Sequence, residues 1–133
     1  MQKISTFLMF DGKVEEAMRF YISLFKDSRI ESIARYVAEN KNVEGKVVHG
    51  VFVVNGQQFM AMDNGTNEKF PFNRAASLYI TCETEPEIDT LYKKLGERGS
   101  ILWKLDKYPF AEKYAWLSDR FGVYWQMFLA KSK

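Results

Sequence analysis

Cysteine and histidine occur once each in the 133 residues, as Cys82 and His49. A single thiol excludes an internal disulfide and suits a reducing compartment. A single imidazole in an apolar strand reads first as structural, and its near-neutral pKa leaves a ligand or acid–base role open. Net charge is nearly missing as well. At +2 it does not argue for nucleic acid, and no basic stripe interleaves with the aromatic residues. Lys131 and Lys133 read as a solvated tail. No apolar run approaches the roughly 20 residues of a membrane span. The first residues show neither the apolar segment nor the small-residue cleavage site of a secretory signal. These absences predict a soluble, cytoplasmic protein with neither nucleic acid nor membrane as partner.

What is present is apolar and aromatic. Apolar residues make up 47% and aromatic residues 16%, enough to fill a core and line a pocket. The length suits one domain, 1–133, built from two modules, roughly 1–66 and 72–133. Ile4–Phe10 reads as a strand. Val14, Ala17, Met18, Tyr21, Leu24 and Phe25 then recur near the helical period. Arg29–Tyr36 is a half-exposed strand, and Glu39–Gly45 a polar loop. Val47–Val54 and Gln57–Asp63 are strands joined by Asn55-Gly56, a strong hairpin signal.

After a loop over Asn64–Arg74, the pattern returns. Ala75–Thr81 is a strand. Thr84 and Glu87 have capping-box spacing, and Ile88, Leu91, Tyr92 and Leu95 form a helical stripe. Gly96 and Gly99 are expected to end that helix. Ile101–Leu105 is a short strand and Tyr108-Pro109-Phe110 a loop. Tyr114–Ser118 and Val123–Leu129 form a last hairpin around the turn Asp119-Arg120-Phe121-Gly122. The order strand, helix, three strands occurs twice. At an offset of 71, Phe7 meets Leu78, Tyr21 meets Tyr92 and Leu24 meets Leu95. At an offset of 66, Gly56 meets Gly122, Phe59 meets Trp125 and Met60 meets Gln126. The predicted class is α+β, with two tandem βαβββ modules.

Three stretches carry a family resemblance. They are Phe10-Asp11-Gly12-Lys13-Val14-Glu15-Glu16-Ala17 with Phe20-Tyr21; Phe59-Met60-Ala61-Met62; and Trp116 to Gln126. With the duplicated module they resemble the vicinal oxygen chelate superfamily of glyoxalases, bleomycin-resistance proteins and dioxygenases. Within it they resemble the PhnB-like branch, labelled 3-demethylubiquinone methyltransferase-like. The resemblance implies a curved mixed sheet around a cleft, and a homodimer. It also implies metal ligands in the enzymatic members, usually His, Gln or Glu, one each on the first, fourth, fifth and eighth strands. Those positions map here to Thr6, Met60, Ser77 and Gln126. None is His or a carboxylate, and thioether and hydroxyl groups are poor ligands for a hard divalent ion. No metal and no cofactor are therefore expected. Methyl transfer is disfavoured too, because the chain has no Gly-x-Gly-x-Gly turn for a nucleotide cofactor.

Strand alternation fills the site instead. If Gln126 faces the cleft, Tyr124 and Phe128 do as well. The matching faces carry Thr6, Leu8 and Phe10; Gln58, Met60 and Met62; Ser77, Tyr79 and Thr81; and Tyr114 and Trp116. The candidate cleft is thus Thr6, Leu8, Met60, Met62, Ser77, Tyr79, Trp116, Tyr124, Gln126 and Phe128. Its apolar, aromatic and methionine-rich character suits a small apolar or aromatic molecule, or else simple packing between sheets. The alternative function is a metal-dependent lyase, isomerase or dioxygenase with a site elsewhere. Asp63, Asp119 with Arg120, and Cys82 with His49 are the remaining groups with catalytic chemistry. Asp119 reads first as a turn former.

Overall fold

The computed structural model describes residues 2–37 and 45–132. The loop expected over Glu39–Gly45 lies outside the described residues apart from Gly45. Compact packing divides the chain between Phe70 and Pro71. The first unit holds β1 (Thr6–Phe10), α1 (Val14–Ile22), β2 (Arg29–Arg35), β3 (Val47–Val54) and β4 (Gln57–Asp63). The second holds β5 (Leu78–Cys82), α2 (Glu85–Gly96), β6 (Ser100–Tyr108), β7 (Ala111–Ser118) and β8 (Tyr124–Leu129). The chain is thus α+β, with the βαβββ order present twice.

Each module builds its own four-stranded sheet, in the orders β1-β4-β3-β2 and β5-β8-β7-β6. The outer pairs β1–β4 and β5–β8 are parallel, and the other neighbours are antiparallel. One helix covers one face of each sheet. In the first module α1 buries Val14, Ala17, Met18 and Tyr21. Tyr21 stacks on Phe52, and Phe52 on Phe59, at centroid distances of 6.5 and 5.4 Å. A Cβ on Gly50 would lie 2.9 Å from the Met18 sulfur, so β3 has no side chain where α1 comes closest. In the second module Ile88, Leu91 and Leu95 of α2 are buried, as are Ala115, Leu117, Trp125 and Met127 of the sheet. Burying one such large side chain is worth about 1.5–3 kcal/mol.

Local chemistry sets the boundaries. Lys13 supplies no side-chain cap to α1. The cap comes from far along the chain: Asp63 accepts from the backbone N–H of Val14 at 3.0 Å and of Val47 at 3.1 Å. β1 starts at Thr6 rather than Ile4, which is 82% exposed. Before it, the Gln2 amide takes the part of a strand, accepting from Gln58 N–H at 3.0 Å and donating to Gln58 C=O at 3.2 Å. α1 stops at Ile22, short of Leu24 and Phe25.

Asn55 and Gly56 have φ values of 50° and 78°, the double left-handed signature of a type I′ hairpin. β5 begins at Leu78 because Ala75 and Ala76 turn back onto Asn73. β6 and β7 extend to Tyr108 and Ala111, so the expected loop Tyr108–Phe110 is the tip of a hairpin.

The capping box forms, with a shift. Thr84 Oγ1 accepts from Glu87 N–H at 3.3 Å, whereas the Glu87 carboxylate reaches the N–H of Glu83, one residue before the expected partner, at 2.7 Å. The two glycines near the end of α2 do not act as left-handed caps. Gly96 is still helical, and it is Arg98 that takes the left-handed conformation, with φ 60°. Gly99 serves close approach: a Cβ there would sit 2.1 Å from the Ser118 carbonyl oxygen.

Candidate functional site

The face of the β5-β8-β7-β6 sheet opposite α2 is aromatic. β8 alternates strictly, sending Trp125, Met127 and Leu129 into the core and Tyr124, Gln126 and Phe128 to the other side. The register places Tyr79 of β5 and Trp116 of β7 beside Gln126, and Tyr114 beside Phe128. β6 adds Trp103 next to Trp116. The hairpin tip adds Tyr108 and Phe110.

Tyr114 is the hub of this face. Trp103, Tyr108 and Phe110 all meet it edge-on, at 5.7, 5.8 and 5.1 Å between centroids. Edge-to-face contacts of this kind add about 0.5–1.5 kcal/mol beyond burial. Trp103 also approaches Trp116 at 6.4 Å, and Tyr79 approaches Phe128 at 6.3 Å. The hub is buried, yet its neighbours are open: Tyr79 is 54% exposed, Trp103 44% and Phe110 53%. A contiguous exposed aromatic surface is the mark of a binding face.

Two hydrogen bonds are built into it. Tyr114 donates its hydroxyl to Gln126 Oε1 at 2.5 Å, and the Trp116 indole N–H donates to Ser77 Oγ at 3.1 Å. Burial holds the Tyr114 phenol above its ordinary pKa, with Tyr79 and Tyr108 adding to the effect, so it stays a donor through the neutral range. Burial likewise raises Tyr79.

Of the candidate cleft residues, Tyr79, Trp116, Tyr124, Gln126 and Phe128 therefore share one face of one sheet, and Ser77, just ahead of β5, joins them through its hydrogen bond with Trp116. The first module behaves differently. Phe7 pairs with Met60 and Met9 with Met62, whereas Leu8 pairs with Ala61 and Thr6 with Phe59. Ala61 in turn pairs with Gly50, which points at α1. Thr6, Leu8 and Phe10 thus belong to the helix side, which corrects the expectation that they share a face with Met60 and Met62. The repeat shifts accordingly. Phe7 beside Met60 corresponds to Tyr79 beside Gln126, so the first strands align at an offset of 72 rather than 71. The earlier match of Phe7 with Leu78 fails because it joins an outward residue to one paired with the buried Trp125.

Trp103, Tyr108 and Phe110 belong to the face but escape the sequence pattern. The β6–β7 register slips at three places, so simple alternation does not carry across β6.

Two of the other chemical candidates, Asp63 and Asp119, hold the chain's own backbone. Asp63 is 2% exposed and occupied by the two backbone donors described above. Asp119 is 3% exposed and anchors the last hairpin. Its Oδ1 accepts from Phe121 N–H at 2.8 Å and Val123 N–H at 3.1 Å, and its Oδ2 accepts from the Trp125 indole at 2.8 Å. Gly122, with φ 89°, closes the turn by donating to the Asp119 carbonyl. His49 is an exposed residue of β3, across from Ala34.

Cys82 is buried at the end of β5. Burial and then the Glu87 carboxylate push its thiol up to about 12, against a smaller opposing pull from a backbone hydrogen bond at Phe128. The thiolate is the reactive form, so a disulfide reagent at pH 8 should modify the native protein about a thousandfold more slowly than the unfolded chain. Equal rates would contradict this environment.

The residues at the positions implied for metal ligands do not suit a hard divalent ion. Thr6 faces the helix side, Met60 offers only a thioether, Ser77 Oγ holds Trp116, and Gln126 Oε1 holds Tyr114. Among the described residues no three His, Cys, Asp or Glu side chains gather to hold a metal ion. A methyl-donor nucleotide finds no glycine-rich turn, and the sheets are not doubly wound. Both helix N-termini are closed by the chain's own side chains, Asp63 at α1 and Thr84 at α2.

Comparison with known proteins adds the context. Residues 2–128 match the family model described as 3-demethylubiquinone-9 3-methyltransferase. A PhnB protein from Bacillus cereus is 55% identical, with 97% of this chain and 100% of that one covered and a TM-score of 0.93. A glyoxylase/bleomycin resistance protein/dioxygenase domain from Frankia sp. EAN1pec shares the fold at 12% identity, covering 99% and 94%, with a TM-score of 0.67. The fosfomycin resistance protein FosX from Mesorhizobium loti does so at 11% identity, covering 98% and 94%, with a TM-score of 0.61. None of the curated proteins compared with the chain matches it.

Proposed function

Because the chain belongs to the family described as 3-demethylubiquinone-9 3-methyltransferase, in its PhnB-like form on a glyoxalase-like fold, we propose that it binds a small aromatic or apolar molecule without a metal. The observation that carries this reading is the exposed aromatic face of the second module, gathered around the Tyr114–Gln126 hydrogen bond. Rings supply stacking area at low entropic cost, and a few fixed polar atoms orient what stacks on them. Methyl transfer is not part of this reading, for want of a cofactor cradle. In the same reading the protein is a cytoplasmic homodimer. The single cysteine, which leaves the chain without an internal disulfide, supports a reducing setting. Among the described residues no helix is long and apolar enough to cross a membrane.

Thermal unfolding tests the proposal. A ligand that binds only the folded state at 100 times its Kd adds about 2.7 kcal/mol of apparent stability. One- and two-ring aromatic compounds should therefore raise the melting temperature and perturb the indole resonances of Trp103 and Trp116. Trp103→Ala should weaken that binding about tenfold and, because the side chain also packs on Tyr108, Tyr114 and Trp116, lower the unliganded melting temperature by roughly 5 °C. No stabilisation and no indole perturbation by any compound would overturn the reading.

A further inference from the structure

The hydrogen bonds of the aromatic face have a direction. Gln126 offers one acceptor atom and one donor group. Its acceptor, Oε1, is held by the Tyr114 hydroxyl. Its Nε2 therefore faces outward with its hydrogens, and no described residue accepts from it. Ser77 repeats the arrangement. An indole N–H can only donate, so Ser77 Oγ must act as the acceptor for Trp116, which leaves its own hydrogen to point elsewhere. Both polar side chains are thus turned donor-outward by aromatic neighbours that belong to the face itself. Gln126 lies between Tyr79 and Trp116, its partners on the adjacent strands.

We infer that the molecule recognised here is an aromatic compound bearing a hydrogen-bond acceptor, such as a carbonyl or nitro oxygen, which the Gln126 amide N–H reads while the ring lies against Trp116, Trp103 and Tyr79. The inference deepens the proposed function and rests on it. A compound presenting only donors meets two outward-facing donors and loses its own hydration without replacement, which a buried polar contact penalises. Tyr114 is the positioning residue. It touches the ring cluster rather than the acceptor, and it fixes which end of the Gln126 amide faces out.

Matched ligands test this on the intact protein. Acetylnaphthalene, ethylnaphthalene and aminonaphthalene share a ring system and differ in the polar group. By calorimetric titration, acetylnaphthalene should bind roughly 3–10-fold tighter than ethylnaphthalene, the range expected for one neutral hydrogen bond. Gln126→Leu should bring that ratio to about one while keeping affinity for ethylnaphthalene, which also shows that the face is intact. Tyr114→Phe frees the amide to turn and should erode the ratio with Gln126 still in place. Gln126→Glu presents only acceptor oxygens and should favour aminonaphthalene. Equal affinity for the acetyl and ethyl compounds in the native protein, or a preference that survives Gln126→Leu, would overturn the inference and leave aromatic binding standing. Failure of all three compounds to bind would overturn both.

Discussion

Asp119→Asn should lower the melting temperature by roughly 10–15 °C, the equivalent of about 3 kcal/mol in a domain of this size. The substitution is nearly isosteric, so the loss reports charge and hydrogen-bond direction rather than volume. The carboxylate accepts from two backbone N–H groups in the turn and from the indole of Trp125, all within 3.1 Å. Asparagine keeps one acceptor oxygen and places an NH₂ group against one of those donors. A buried donor left without its acceptor costs about 1–3 kcal/mol, and more where the lost partner was charged. Trp125→Phe removes the indole donor, so the double variant should be less unstable than the two single losses combined. Differential scanning calorimetry on the four proteins measures this. A loss below about 1 kcal/mol for Asp119→Asn would mean that the carboxylate is not the anchor described.

Gly99→Ala and Gly96→Ala, three residues apart, should differ sharply. At Gly99 the added Cβ falls 2.1 Å from the Ser118 carbonyl oxygen and 3.1 Å from two backbone atoms of Asp119. Backbone cannot rotate aside as a side chain can, so the β6–β7 pairing must shift. The expected cost is roughly 3 kcal/mol, at the upper end of overpacking effects. At Gly96 the nearest atom is the terminal methyl of Ile101 at 3.2 Å, and the site is helical. There the gain in helix propensity, about 1 kcal/mol, should offset the crowding. Urea unfolding of both variants decides the matter, and equal midpoints would refute the assignment of Gly99 to close approach.

The sequence carried most of the fold because its signals were local. Asn55-Gly56 fixes a hairpin by what its residues tolerate in φ, and the bounds of β3 and β4 follow from it. Thr84, Pro86 and the Ile88–Leu95 stripe fix α2 in the same way. The face of β1 was not legible. Five successive residues, Thr6–Phe10, are almost all apolar, so alternation has no polar residue to mark an outside. Only pairing with β4 shows that Phe7, and not Leu8, lies with Met60. The aromatic face was half legible. Gln126 stood out as a polar residue within an apolar strand and led to its neighbours on β5 and β7. Trp103, Tyr108 and Phe110 did not, because register slips in β6 and a hairpin tip that reads as a loop hide their common side. Asp63 looked like a spare carboxylate. That it caps a helix beginning at Val14 is a long-range fact with no local signature.

The parallel pairs at the edge of each sheet have a consequence for how the chain reaches this state. β2–β3 and β3–β4 can zip from nearby turns, but β1 cannot join β4 until the rest of its module has been made, since Thr6 must find Phe59. The same holds for Leu78 and Trp125. Closing so long a loop carries an entropic cost that is repaid only on docking. Each module is therefore expected to assemble its antiparallel meander first and to receive its opening strand last, so substitutions in β1 and β5 should speed unfolding rather than slow folding. Tyr79 comes with β5, so a local opening of β5 alone would strip Tyr79 from one side of Gln126 while Trp116 and the Tyr114 hub stay in place on β6–β8.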